Sequence, residues 1–190
     1  MAAGSTLRFE SNIGKVEATV AQIERRLAQP GQLLDAIGEY LLESTQRRFG
    51  SQTAPDGTPW AALQPRYAKR KKYGKGKILT LRGYLRSQMR WQRDGADAVL
   101  VGSNREYAGI HQHGGEIDMP ARQATQYLRK NARTGKVGLL FVKKKKANHT
   151  RQITIGAHKV IMPARPFLGV SNADGSEISQ ITLAWLNGKR

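Results

Sequence analysis

The sequence predicts an α+β fold in which N-terminal helices pack on a small antiparallel sheet, with a long basic loop, an inserted β-rich arm and a C-terminal helix. Three observations predict it. Apolar residues recur at helical spacing over the first fifty positions, alternate on either side of Asp94-Gly95 and again after residue 137, and return to helical spacing near the C-terminus. The length of 190 residues suits one domain, 1–190, in which 50–77 form an extended basic loop and 119–162 the inserted arm.

Val16, Val20, Ile23 and Leu27 share one helical face, which predicts a helix over about 14–29. Pro30 and Gly31 interrupt it. Leu33, Leu34, Ile37, Leu41, Leu42, Thr45 and Phe49 then predict a second helix over about 32–49. That stripe is close to heptad spacing, but two heptads favour packing on the domain's own sheet over a coiled-coil seam.

From Gly50 to Lys77 periodicity vanishes, and a structureless stretch of this length inside a domain is normally functional or disordered. Arg66–Arg93 holds eleven Lys/Arg and no acid. Trp60, Tyr67 and Tyr73 are interleaved with that charge. The pattern fits a nucleic-acid groove in which bases stack on rings, and equally an arm that orders against a neighbouring subunit.

Order returns at LTLRGYLRSQ, a short helix or turn. Alternation through Met89 and Trp91, the turn at Asp94-Gly95 and further alternation through Val99 and Val101 predict a β-hairpin over 87–102. Ser103 and Glu106 have capping-box spacing and predict a short helix through Tyr107 and Ile110, stopped by Gly114 and Gly115.

The tetrapeptide MPAR occurs at 119–122 and again at 162–165, with flanks too different for a structural repeat. Between the copies, VGLLFV at 137–142, RQITI and HKVIM read as short strands around a lysine-loaded tip, Lys143–Lys146. The two MPAR segments are expected side by side where the arm returns. PFLGVS reads as a strand, and Asp174 with Glu177 as the cap of a final helix carrying Ile178, Ile181 and Trp185, ended by Gly188.

The formal charge is +18 and unevenly spread: residues 57–173 carry 24 Lys/Arg against five acids, whereas 1–56 carry six against seven. A field of that size attracts nucleic acid or an acidic protein surface. There are no cysteines, so thiolate metal sites, cysteine nucleophiles and disulfides are excluded. No apolar run reaches the roughly 20 residues that span a bilayer, and the N-terminus lacks a signal peptide's pattern, so a soluble, non-exported protein without a membrane partner is expected.

His111 and His113, two apart on a predicted helix, point in nearly opposite directions and do not share a metal there. His149 and His158 sit among lysines, where a divalent cation is disfavoured. His111 reads as a partly buried, hydrogen-bonded core residue on the face of Tyr107 and Gly114. No nucleophile elbow, phosphate loop or metalloprotease motif occurs. A two-metal nuclease would have to be built from Asp94, Asp97, Glu106, Glu116 and Asp118, and their posts in a turn, a cap and a loop do not cluster them. No enzyme, metal, catalytic residue or cofactor is expected.

Taken in order, LLDAIGEYLLESTQRRF, PDGTPWAALQPRYAKRK, ILTLRGYLRSQM, VGSNREYAGIHQHGG and MPARPFLGVSNAD resemble the phage virion morphogenesis family of tail completion proteins, from about residue 33 to 174. The resemblance is least informative over the first 30 residues and over 119–162. It implies a structural protein of the virion head–tail junction, made in the host cytoplasm and needed to finish tails and join them to heads as a tail terminator or neck ring. It is also similar to the wider class of small joining proteins that form six-membered rings against neck, portal-side or tail-tube proteins, with genomic double-stranded DNA passing through.

On that reading Trp60, Tyr107, His111, Gly114, Gly115, Pro166, Phe167 and Leu168 are structural or interface residues. Lys69, Arg70, Lys71, Lys72, Lys75, Lys77, Lys143, Lys144, Lys145 and Lys146 face a partner or DNA. The alternative is a non-sequence-specific double-stranded DNA-binding protein acting in packaging.

Overall fold

The computed structural model describes residues 13–188, which fall into two compact units. One joins the residues up to Gln112 to those from Arg165 onward; the other is His113–Ala164. The fold class is α+β, with its strands in antiparallel pairs and a helix at the C-terminus.

In the first unit, helices α1 (Ile13–Leu27) and α2 (Gly31–Ser51) form where the apolar spacing predicts, separated at Pro30, which has no amide hydrogen to continue a helix. They differ in what they bury. α2 buries Leu34, Gly38, Thr45 and Phe49, whereas α1 buries no residue. The helix that packs on the sheet is therefore α2. At Gly38 a Cβ would sit 2.5 Å from Trp91 Cε3, so only glycine admits the indole ring onto the helix.

Trp91 belongs to the predicted hairpin, β1 (Arg90–Asp94) and β2 (Ala98–Gly102), paired from Arg90↔Gly102 to Asp94↔Ala98. The turn chemistry at Asp94-Gly95 holds, with Gly95 at φ 71°.

The 50–77 segment is not structureless. Thr53 bridges Pro59, Trp60 N–H donates to Gln52 O at 2.9 Å, and α3 (Pro65–Arg70) opens on a proline, whose ring suits a first helical turn. Trp60, which the charge pattern suggested for a nucleic-acid groove or an arm, is 5% exposed and part of the core. α4 (Tyr84–Ser87) is the expected short helix.

Three local expectations change. Ser103 Oγ accepts from Arg105 N–H at 3.4 Å, two residues on, so it makes a turn in place of a capping box, and α5 (Ala108–His113) starts later. PFLGVS forms no strand: Pro166 lacks a donor, and side chains described below bond the carbonyls of 166–169 and the amides of Phe167 and Leu168. The last helix, α6 (Asn172–Leu186), is capped by Ser171, whose hydroxyl accepts from Asp174 N–H while Asp174 accepts from Ser171 N–H; the box lies three residues before the predicted Asp174/Glu177 pair.

The core is Phe49, Ala54, Trp60, Leu85, Met89, Ala108 and Phe167. Phe49 meets the Trp60 ring edge-on and the Phe167 ring at a tilt, both at 5.5 Å between centroids. Phe49, Trp60, Leu85 with Met89, Ala108 and Phe167 come one set from each of the five stretches that carry the family resemblance. Those stretches are thus the walls of one hydrophobic core.

The second unit is built from two consecutive antiparallel ladders, β3 (Gly115–Met119) with β6 (His158–Met162) and β4 (Arg122–Leu128) with β5 (His149–Ile155). Their register runs on unchanged past the break at Pro120-Ala121, so the four strands make one long ribbon interrupted where proline supplies no donor. The first of these strands, β3 and β4, were not foreseen. VGLLFV is no strand: Gly138 N–H donates to Arg129 O and Val142 N–H to Tyr127 O, and the residues between lie in solvent.

The two MPAR segments are not side by side. Met119 pairs with His158 and Met162 with Gly115, at opposite ends of one ladder. In this unit only Leu128 is a buried side chain.

Candidate functional site

The most constrained region of the first unit is the stretch from Arg165 to Asp174. Its geometry starts on α2, where Tyr40, Ser44 and Arg48 recur every four residues and so share a face. Asp174 accepts from all three. Tyr40 Oη donates to Oδ1 at 2.9 Å and Ser44 Oγ at 2.5 Å; Arg48 Nη2 pairs with Oδ2, which Ser171 N–H and Oγ also reach at 2.8 and 2.7 Å. Burial alone would raise the Asp174 pKa. The donors from Ser44, Ser171 and Tyr40 outweigh it and hold the carboxyl well below the usual carboxylate range. The same carboxylate, with burial acting first, raises the Tyr40 pKa.

Arg48 extends the network into the chain that failed to become a strand. Its Nη1 donates to Phe167 O at 3.1 Å and Gly169 O at 2.8 Å. Trp60 Nε1 donates to Pro166 O at 2.7 Å. Gln112 closes the set, its Oε1 accepting from Phe167 and Leu168 N–H at 3.0 Å each while its Nε2 donates to Leu168 O at 3.0 Å. Three side chains, from α2, α5 and the loop that carries Trp60, thus do what a partner strand would do. Arg165 anchors the start, donating from Nε to Ala61 O at 2.7 Å and from Nη2 to Ala62 O at 3.0 Å, and burial lowers its pKa.

Of the sequence-singled residues, Trp60, Pro166, Phe167 and Leu168 are brought together here. His111 lies on α5 and Tyr107 in the turn just before it, their rings edge to face at 6.1 Å. His111 is half-buried, but its Nδ1 has no hydrogen-bond partner, contrary to the expected bonded histidine. Burial first, then the Arg165 charge, lowers its pKa. In the second unit, Gly114 has φ 72° and a Cβ there would lie 2.7 Å from Ala164 N, so glycine is required; Gly115 opens β3 opposite Met162.

The basic residues divide. Lys69, Arg70, Lys72, Lys75 and Lys77 are exposed, as are Lys143–Lys146. Lys71 departs from its expected outward role: at 4% exposure its ammonium donates to Lys77 O, and burial lowers its pKa. Its aliphatic stem packs where charge alone would not have put it.

Sequence reasoning missed Tyr40, Ser44, Arg48 and Gln112. The signal for the first three is a polar stripe at four-residue spacing on a helix whose other stripe is apolar; Gln112 leaves no comparable pattern. Among the described residues, no three His, Asp or Glu side chains gather closely enough to hold a metal ion, and no helix is long and apolar enough to cross a membrane. The arrangement offers donors and acceptors that are already satisfied, which suits a scaffold that holds a loop in one shape.

Comparison with known proteins places relatives of this chain in phage assembly. The phage virion morphogenesis family matches residues 11–187. A putative capsid assembly protein G of Escherichia phage Mu is 42% identical over 88 residues, 44% of this chain and 56% of that protein. The tail completion protein S of Escherichia phage P2 is 27% identical over 184 residues, 94% of this chain and 95% of that protein. The match thus spans just over half the length of the Mu protein and nearly all of the P2 protein. No solved structure matches the chain. With a family match along almost its whole length, and a core lined by the stretches that first suggested it, the chain belongs to the phage virion morphogenesis family.

Proposed function

We propose that this chain is a tail completion protein: a structural component of the head–tail junction that finishes tails and joins them to heads, and that transforms no substrate. The observation that carries the reading is its similarity along 94% of its length to a protein named for tail completion. The site described above supports it, since its polar groups are spent on holding residues 165–174 in place.

The working form in this reading is a closed six-membered ring resting between neck, portal-side or tail-tube proteins. A ribbon unit with one buried side chain, Leu128, favours assembly, because a two-stranded ribbon needs a surface to lie against. Head-to-tail contacts that close give every ribbon such a surface. Genomic DNA passes the ring, and the exposed lysines at 69, 72, 75 and 77 meet an acidic face of an adjoining virion protein, while Lys143–Lys146 face a neighbouring subunit.

Electron microscopy of particles assembled without the chain tests the reading. Full heads lying apart from unjoined tails are expected; normally joined, infectious particles would overturn it.

A further inference from the structure

Two exposed apolar surfaces of this chain match in chemistry, one edged by carboxylates and the other followed by lysines. The first is on α1, where Ile13, Val16, Val20, Ile23 and Leu27 recur three and four apart and so form one stripe. Val16, Val20 and Leu27 are 62, 48 and 58% exposed. Glu17 and Glu24, one heptad apart, line one edge of that stripe. α1 as a whole carries Lys15, Arg25 and Arg26 against these two acids, so its negative charge is confined to that edge.

The second surface is the Leu139-Leu140-Phe141 tip, 93, 83 and 70% exposed and pinned at both ends by the Gly138 and Val142 backbone bonds. Four lysines, 143–146, follow directly. The unit that bears it, 113–164, carries eleven Lys/Arg and two acids.

We infer that Leu139–Phe141 of one copy seats on the α1 stripe of a second copy, with Lys143–Lys146 against the Glu17 and Glu24 edge. The inference deepens the ring reading and rests on it. Because the two surfaces differ, the contact is head-to-tail and repeats from copy to copy. Charge selects the seat: a ribbon this basic is repelled by most of a basic chain, whereas the Glu17 and Glu24 edge sets carboxylates directly beside an exposed apolar stripe. Two heptads are too few for α1 to pair stably with another α1. Three apolar side chains do not make an interface of roughly 800 Å² per partner by themselves; they are the anchor at the centre of a larger one.

The absence of cysteine makes a clean test. Val20→Cys and Phe141→Cys chains are purified separately, mixed and oxidised. Mixed V20C–F141C disulfides should dominate over either homodimer, and the double variant should give a ladder of covalent oligomers. Homodimers in equal or greater yield, or a double variant that closes on itself as a monomer, would overturn the inference.

A second arm measures assembly by mass against concentration. Leu140→Asp with Phe141→Asp, both exposed, should leave the circular dichroism spectrum unchanged and raise the assembly concentration at least tenfold. Glu17→Lys with Glu24→Lys should do the same, and reversing Lys143–Lys146 to Glu in that background should restore it. A wild-type chain that stays monomeric sinks the ring reading and this contact together. A wild type that assembles, beside variants that assemble equally well, sinks this contact alone.

Discussion

Arg48 on α2 and Asp174 in the first turn of α6 stand 126 residues apart and form an ion pair with side chains 8% and 3% exposed. Each end is further bonded, Arg48 to two backbone carbonyls and Asp174 to Tyr40, Ser44 and Ser171. Removing one partner leaves the other charged, buried and unmatched. Asp174→Ala is therefore expected to cost about 3–5 kcal/mol, read as a lower urea midpoint, while replacing both residues with apolar ones of similar size costs less. Equal losses for the single and double replacements would show that the pair's burial is not what the fold depends on.

Acid should release the same clasp. The Asp174 carboxyl titrates in the folded chain below the roughly 3.9 of an unfolded aspartate, so its contribution is fully present above that pH and is lost as pH falls toward the folded value. Denaturant midpoints measured from pH 6 down should fall more steeply below about pH 4 in the wild type than in Asp174→Asn. Parallel curves would contradict the assignment.

Trp60 both fills the core and donates to Pro166 O. Trp60→Phe keeps a ring but drops the donor, and is expected to cost about 1–3 kcal/mol because a buried carbonyl is left unmet. Phe167→Ala, which empties a fully buried site, should cost about 3–5 kcal/mol. Both are read by thermal melting of the whole chain.

Gly114→Ala places a side chain at φ 72° against the Ala164 backbone. A penalty of about 1–3 kcal/mol is expected, and it should fall on the β3–β6 ladder. Hydrogen exchange would locate it: amides of 115–119 and 158–162 should exchange faster while those of α2 stay protected.

Charge reversal at Lys143–Lys146 separates the two kinds of partner a basic surface attracts. On the proposed function, purified heads and tails should fail to join while binding to random DNA duplex in moderate salt changes little. Loss of duplex affinity with a shallower salt slope, and joining intact, would point instead to a DNA-binding role.

Much of the first unit was legible because its signals are local. The apolar spacing of α2, the breaker at Pro30, the alternation around Asp94-Gly95 and the ordered family stretches each need only neighbouring residues to be read. Where competing local signals existed, the reading went astray. Ser103 and Asp174 each had a glutamate three residues on, but the realised cap is Ser171 with Asp174, because that aspartate is also claimed by Tyr40, Ser44 and Arg48. PFLGVS has a strand's composition and became a bonded loop because Arg48, Trp60 and Gln112 reach it from two helices and a loop distant in sequence.

Taken by itself, the sequence determined the α+β class, the two N-terminal helices, the hairpin, the basic character and the family, since periodicity, turn residues and charge are properties of short stretches. Tertiary structure alone decided that Trp60 and Lys71 turn inward, that α1 and Leu139–Phe141 keep their apolar faces outside, and that one carboxylate ties α2 to α6. Each of these depends on which distant groups share a volume, and burial is a contest among all of them.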